Sequence, residues 1–168
     1  MKLNKLYVDG KHTDLVLLTR DKKISVHKCV LAAHSDTLCE MLENDSKFID
    51  MSKEEPEAVE SMLEFMYKNE VDNIDKISIH LFNIACEYNI KELLEICKKN
   101  LHQEINIENS SDIFILATKS KNKKLKKEVI KFIVLNRKIV VKTHGFRNMQ
   151  INHPELVAEL FCYETNDF

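Results

Sequence analysis

The apolar residues of this chain change their period once, from two to 3.6, and that change restricts the fold more than any other feature. The segments DLVLLT (Asp14 to Thr19) and KISVH (Lys23 to His27) are short, rich in branched residues and separated by Arg20-Asp21-Lys22, the pattern of a hairpin. SKFIDM, Ser46 to Met51, reads as one more short strand. From Pro56 onward helical spacing takes over, with Val59, Met62, Leu63 and Met66 at i, i+3, i+4 and i+7, and Glu residues on the opposite, solvated side. Leu81, Phe82, Ala85 and Tyr88 mark a second helix. Ile90, Leu93, Leu94, Cys97 and Leu101 mark a third, with the break at Tyr88-Asn89. Strands first and helices later predict an α+β fold rather than a doubly wound sheet. With only two glycines and two prolines, the chain lacks the turn residues an all-β sandwich needs.

The pattern loosens around Gln103 to Glu108, where INIENSSD offers several N-cap residues. A domain boundary is expected there, giving a first domain over 1–105 and a small helical one over 106–168. The second carries apolar faces at Ile113, Leu116 and Ala117, and at Leu125, Val129, Phe132 and Ile133. A last helix starts at Asn152-His153-Pro154 with the face Leu156, Val157, Leu160 and Phe161.

Composition excludes several functions. Hydrophobic residues make up 44% and charged residues 31%, enough for a core under a solvated surface. A net charge of −2 argues against a partner gripped through phosphates. The lysine run KSKNKKLKKEVIK, Lys119 to Lys131, interleaves Leu125 and Val129 on helical spacing, so its lysines read as the outer face of an amphipathic helix and no nucleic acid partner is expected. Five cysteines, with no C-x-x-C and no apolar leader, point to reduced thiols in cytoplasm or nucleus. No apolar run approaches the roughly 20 residues of a membrane span, and no membrane partner is expected. No nucleophile elbow, zinc-protease helix or phosphate loop occurs, so no enzyme activity, cofactor or small-molecule substrate is expected.

HKCVLAAHSDTLCEML, His27 to Leu42, puts two histidines and two cysteines within thirteen residues. On one continuous helix, at about 100° per residue, His34, Leu31, Leu38 and Met41 gather around Val30, whereas Cys29 and Cys39 fall on the far side. Four ligands cannot then converge on one metal ion; only a sharp break near Ser35-Asp36 would allow it. The stretch reads as the wall of a core, and Cys97, on an apolar face, as a small hydrophobe.

The same stretch, with the hairpin before it, resembles the BTB/POZ family. Val26 to Ser35 is similar to that family's HK-x-x-LAA-x-S signature, with Asp14 at the start of the first strand. The likeness continues through Leu38 to Leu42, PEAVESMLEFMY (Pro56 to Tyr67) and ACEYNIKELLEICKKNL (Ala85 to Leu101). THGFRNMQINHPELVAELF, Thr143 to Phe161, and the start Glu108-Asn109-Ser110 through Ala117 resemble the BACK-like segment of the speckle-type POZ subfamily. Members of that subfamily carry an N-terminal MATH domain that captures substrate, and this chain begins almost at the BTB fold.

The resemblance implies a dimer, with itself or with BTB relatives, that bridges a substrate to cullin-3 in a ubiquitin ligase. It places Leu3 and Leu6 at apolar positions of the first helix of the dimer interface, Tyr7 at an aromatic one and Val30 on the second helix. That first helix is several residues shorter here. Phe161 aligns with an aromatic position of a second, BACK-mediated self-association. On the cullin side, Met41-Leu42-Glu43 fits the φ-x-E motif, at a point where the aligned residues are helical. The loop after Leu42 is about four residues shorter than in that subfamily. Tyr67 and Tyr88 fall near the family's cullin surface, and as helix residues they read equally as half-buried. Two functions are therefore expected: a cullin-3 adaptor without its own substrate-capturing domain, or an interaction module that pairs with full-length relatives and modulates them without binding cullin-3.

Overall fold

The computed structural model of the protein describes residues 2–43, 46–72 and 74–163, with backbone alone at residues 2 and 75–77. The chain divides into two compact units, Met1–Cys97 and Lys98–Phe168. The α+β architecture expected of the sequence is what forms: a small sheet and a helical cluster, then a helical region.

In the first unit, helix α1 (Lys2–Asp9) precedes strands β1 (Leu15–Leu18) and β2 (Lys23–Val26), followed by helices α2 (Lys28–His34) and α3 (Asp36–Leu42). Strand β3 (Phe48–Asp50) and helices α4 (Pro56–Lys68), α5 (Ile74–Glu87) and α6 (Lys91–Gln103) complete it, the division between units falling within α6. The sheet order is β2-β1-β3. The pair β1-β2 is antiparallel, with Leu15 opposite Val26 and Leu18 opposite Lys23, and β1-β3 is parallel, with Leu17 opposite Ile49. The alternation in LVLL buries Leu15 and Leu17 and leaves Val16 and Leu18 half-covered. The hairpin closes tightly because the Thr19 hydroxyl donates to the Lys22 carbonyl at 3.0 Å.

The stretch from His27 to Leu42 is two helices, with the break at Ser35. Ser35 accepts from the Leu38 N–H at 3.0 Å, capping α3, and donates its hydroxyl proton to the Tyr88 carbonyl. Asp14 does the same service for α2 by accepting from the Lys28 N–H at 2.8 Å.

Helix α4 is the centre of this unit. The sequence predicted one apolar face and a solvated Glu side; instead Ala58, Val59, Met62, Leu63, Phe65, Met66 and Tyr67 are all buried, because α1, α2 and α5 pack around it. Glu57 is exposed, and the other two glutamates are paired. Glu60 meets the Lys22 ammonium at 2.5 Å, and Glu64 pairs with Lys68. Burial would raise the Glu64 carboxyl, but the Lys68 ammonium and the Asp72 N–H together hold it below its ordinary range.

The second unit contains α7 (Ser110–Lys119), α8 (Lys123–Leu135), α9 (Arg137–Val140), α10 (His144–Asn152) and α11 (Pro154–Leu160). Asn106 from the expected capping stretch accepts from the Glu108 and Asn109 N–H groups at 3.0 and 3.1 Å. Helix α7, packed by α8 and α10, buries Phe114 and Ile115 as well as its predicted face of Ile113, Leu116 and Ala117. Leu125, Val129 and Ile133 are buried as predicted from the lysine-rich helix. Of the face expected on the last helix, Leu156 is buried, while Phe161 lies beyond α11 and is 84% exposed. The sequence pattern continued one residue past the point where the helix stops.

Candidate interaction surface

Two tyrosines and a histidine fix the position of α1. The His27 backbone N–H donates to the Tyr67 hydroxyl at 2.9 Å, and that hydroxyl also lies 2.7 Å from His27 Nδ1. His27 Nε2 is 2.8 Å from the Lys11 carbonyl oxygen, which can only accept. The Nε2–H tautomer follows, with Tyr67 donating its proton to Nδ1. Tyr67 is buried, and its ring carries the ring of Tyr7 stacked at 4.8 Å between centroids, 25° from parallel. Burial pushes both phenols up, and at Tyr7 the Glu60 and Glu64 carboxylates add to the rise.

An eight-residue helix is marginal in isolation, so this stack, with the Lys11 carbonyl anchored behind it, is what holds α1 on α4. Leu3, Leu6 and Tyr7 share one face at i, i+3 and i+4. Tyr7 turns inward and is half-buried, whereas Leu3 and Leu6 are 39% and 36% exposed beside it. Val8, which the sequence reading passed over, is 74% exposed. Adjacent exposed apolar residues on an anchored helix are the mark of a contact surface. Val30, the fourth expected dimer position, is buried within the unit itself.

The residues expected near a cullin lie apart in kind. Met41 and Leu42 end α3, Met41 exposed and Leu42 half-buried, and Glu43 is the exposed helical C-cap residue. The loop expected to be short includes Asn44 and Asp45, which lie outside the described residues. Tyr67 and Tyr88 are both buried rather than half-buried. The Tyr88 phenol is pushed up to about 12 by burial and then by the Glu87, Glu54 and Asp50 carboxylates around it.

The rings of the two histidines first read as possible ligands are turned to protein partners, His34 Nε2 lying 3.0 Å from the Met66 carbonyl oxygen. Cys29 and Cys39 are free and exposed. Among the described residues no group of three His, Cys, Asp or Glu side chains is placed to hold a metal ion, and no helix is long and apolar enough to cross a membrane. In the second unit Lys126 of the lysine run pairs with Glu159 at 2.9 Å and lies over the Phe114 ring at 5.6 Å, while Lys121, Lys123, Lys124, Lys127 and Lys131 face outward.

The His27-Tyr67-Tyr7 clamp escaped the sequence reading. Tyr7 and Tyr67 lie 20 and 40 residues from His27, and no local spacing joins the three. The signal available was the histidine ending a strand directly before a helix, where a ring has no helical neighbours to pack on.

Comparison with known proteins agrees with this geometry. The BTB/POZ domain family matches residues 3–105. Among solved structures the chain is similar to the BTB domain of zebrafish PATZ1. The two are 25% identical with a TM-score of 0.55, the match covering 61% of this chain and 87% of that one.

Proposed function

The chain belongs to the BTB/POZ domain family, a family of protein-interaction and self-association modules, and on that footing we propose that it is a cullin-3 ubiquitin-ligase adaptor of the speckle-type POZ kind. In this reading it is non-catalytic, its first domain pairs with itself or a BTB relative, and residues 106–168 form a BACK-like domain. The observation that carries it is the apolar α1 face, Leu3 and Leu6 exposed beside an inward Tyr7 that is stacked on Tyr67. The exposed Phe161 is a second contact residue, in the C-terminal unit. Met41, Leu42 and Glu43 would meet the cullin at the end of α3.

A second reading is favoured by one observation: Met41 and Leu42 are helical and Glu43 caps the helix, so the φ-x-E residues are not in an extended loop. The chain then pairs with full-length relatives and tunes their assembly without binding cullin-3. Capture of the N-terminal part of cullin-3 by the purified chain separates the two. Binding below about 1 μM supports the adaptor. No binding, together with capture of a full-length relative, supports the modulator.

A further inference from the structure

The near-neutral charge of the chain conceals two opposed halves. Lys98–Phe168 carries 13 lysines and arginines against 8 aspartates and glutamates, whereas the first 97 residues carry 12 against 19. Each excess includes a stripe along one helix. On α8, Lys123, Lys127 and Lys131 recur at every fourth position with Lys124 beside them, and at about 100° per residue all four fall within about 100° of arc. On α3, Asp36, Glu40 and the C-cap residue Glu43 fall within about 60°, and the helix has no lysine or arginine. All seven side chains are exposed, and among the described residues none belongs to an ion pair. The one carboxylate of α8, Glu128, is engaged by His102 at the margin of the stripe.

The two stripes match in length. At about 1.5 Å per residue, Lys123 to Lys131 spans about 12 Å and Asp36 to Glu43 about 10 Å. Each has a large exposed apolar residue at its side, Leu135 one turn beyond Lys131 and Met41 next to Glu40. An unpaired stripe of one sign selects a surface of the other sign, and here that surface lies on the chain itself, always present at equal concentration. Like stripes repel, so the contact joins unlike faces. The α8 stripe has no arginine and no interleaved aromatic residue, the groups that grip and stack nucleic acid bases.

We propose that the lysine stripe of α8 docks on the carboxylate stripe of α3 in a second copy of the chain, an electrostatic contact separate from pairing through α1. Exposed ion pairs each contribute little and are screened by salt, so the contact is weak and depends on protein concentration. It uses no residue of α1 and does not rest on cullin binding. Glu43 belongs also to the end of α3 proposed above to meet cullin-3, so a docked copy and the cullin compete for that helix end.

Light scattering on the full chain across a concentration series tests it at about 10 mM and about 1 M sodium chloride, where charges are screened over about 30 Å and about 3 Å. The mass should be higher at low salt, whereas apolar pairing through α1 persists at high salt. Lys123→Glu/Lys127→Glu and Asp36→Lys/Glu40→Lys change only exposed side chains. Each double variant alone should weaken the low-salt association by about tenfold or more, with an unchanged circular dichroism spectrum. Mixed in equal amounts, the two should associate again, because the unaltered α8 of one meets the unaltered α3 of the other. Glu43 stays in place, so capture of cullin-3 by these variants is read separately. Equal mass at the two salt concentrations, double variants that associate like the unaltered chain, or a mixture that stays apart would each overturn the proposal. The first of these is the outcome for a lysine stripe reserved for a foreign acidic protein or a nucleic acid.

Discussion

Tyr67 shows how one hydroxyl can tie together elements that sequence keeps apart. It serves the start of α2 through the His27 N–H and ring, and through that ring the Lys11 carbonyl behind α1. Tyr67→Phe keeps the ring and the Tyr7 stack but strands a buried N–H and a ring nitrogen. It should cost about 1 to 3 kcal/mol in urea unfolding, with little change in secondary structure by circular dichroism. Tyr88 makes a different prediction. Its phenol is held protonated to about 12 in the folded chain, while the unfolded chain ionises near 10, so the folded state binds that proton more tightly. The contribution is complete below pH 10 and is lost as the pH climbs toward 12. Stability measured across that window should fall, and Tyr88→Phe should fall less steeply.

Helix ends are where this glycine-poor chain is under strain. After α5, the Ile90 N–H reaches the Ala85 carbonyl at 2.9 Å and the Asn89 N–H that of Cys86 at 3.3 Å, with Asn89 at φ +50°. The same pair of bonds closes α7: Asn122 to Ala117 at 2.9 Å and Lys121 to Thr118 at 3.1 Å, with Lys121 at φ +53°. This left-handed closing residue is usually glycine, sometimes asparagine. A lysine there bears the Cβ clash that glycine avoids. Lys121→Gly should therefore stabilise the chain by about 1 kcal/mol, and Asn89→Gly by less, both read as a rise in Tm. Asn89→Ala should destabilise by about 1 kcal/mol. The periodicity placed the break at Tyr88-Asn89, and the bonds explain it.

For the molecule as a whole, the proposed self-association through α1 has a thermodynamic signature. Pairing of folded chains makes Tm rise with protein concentration, and Leu3→Glu/Leu6→Glu should remove that dependence without altering the circular dichroism spectrum. A Tm independent of concentration in the unaltered chain would count against the dimer. The sequence by itself determined the α+β class, the hairpin, and the buried stripes of α4, α5, α6 and α8, because those rest on periodicity, which is a local property of neighbouring residues. It also carried the BTB signature, whose Asp14 and Ser35 turn out to cap helices. Only the tertiary structure decided that α4 is buried over most of its circumference, that Leu3 and Leu6 remain outside while Tyr7 turns inward, and that Tyr67 closes on His27. Each of these depends on what a distant element covers, and a residue's own neighbours in sequence hold no record of that.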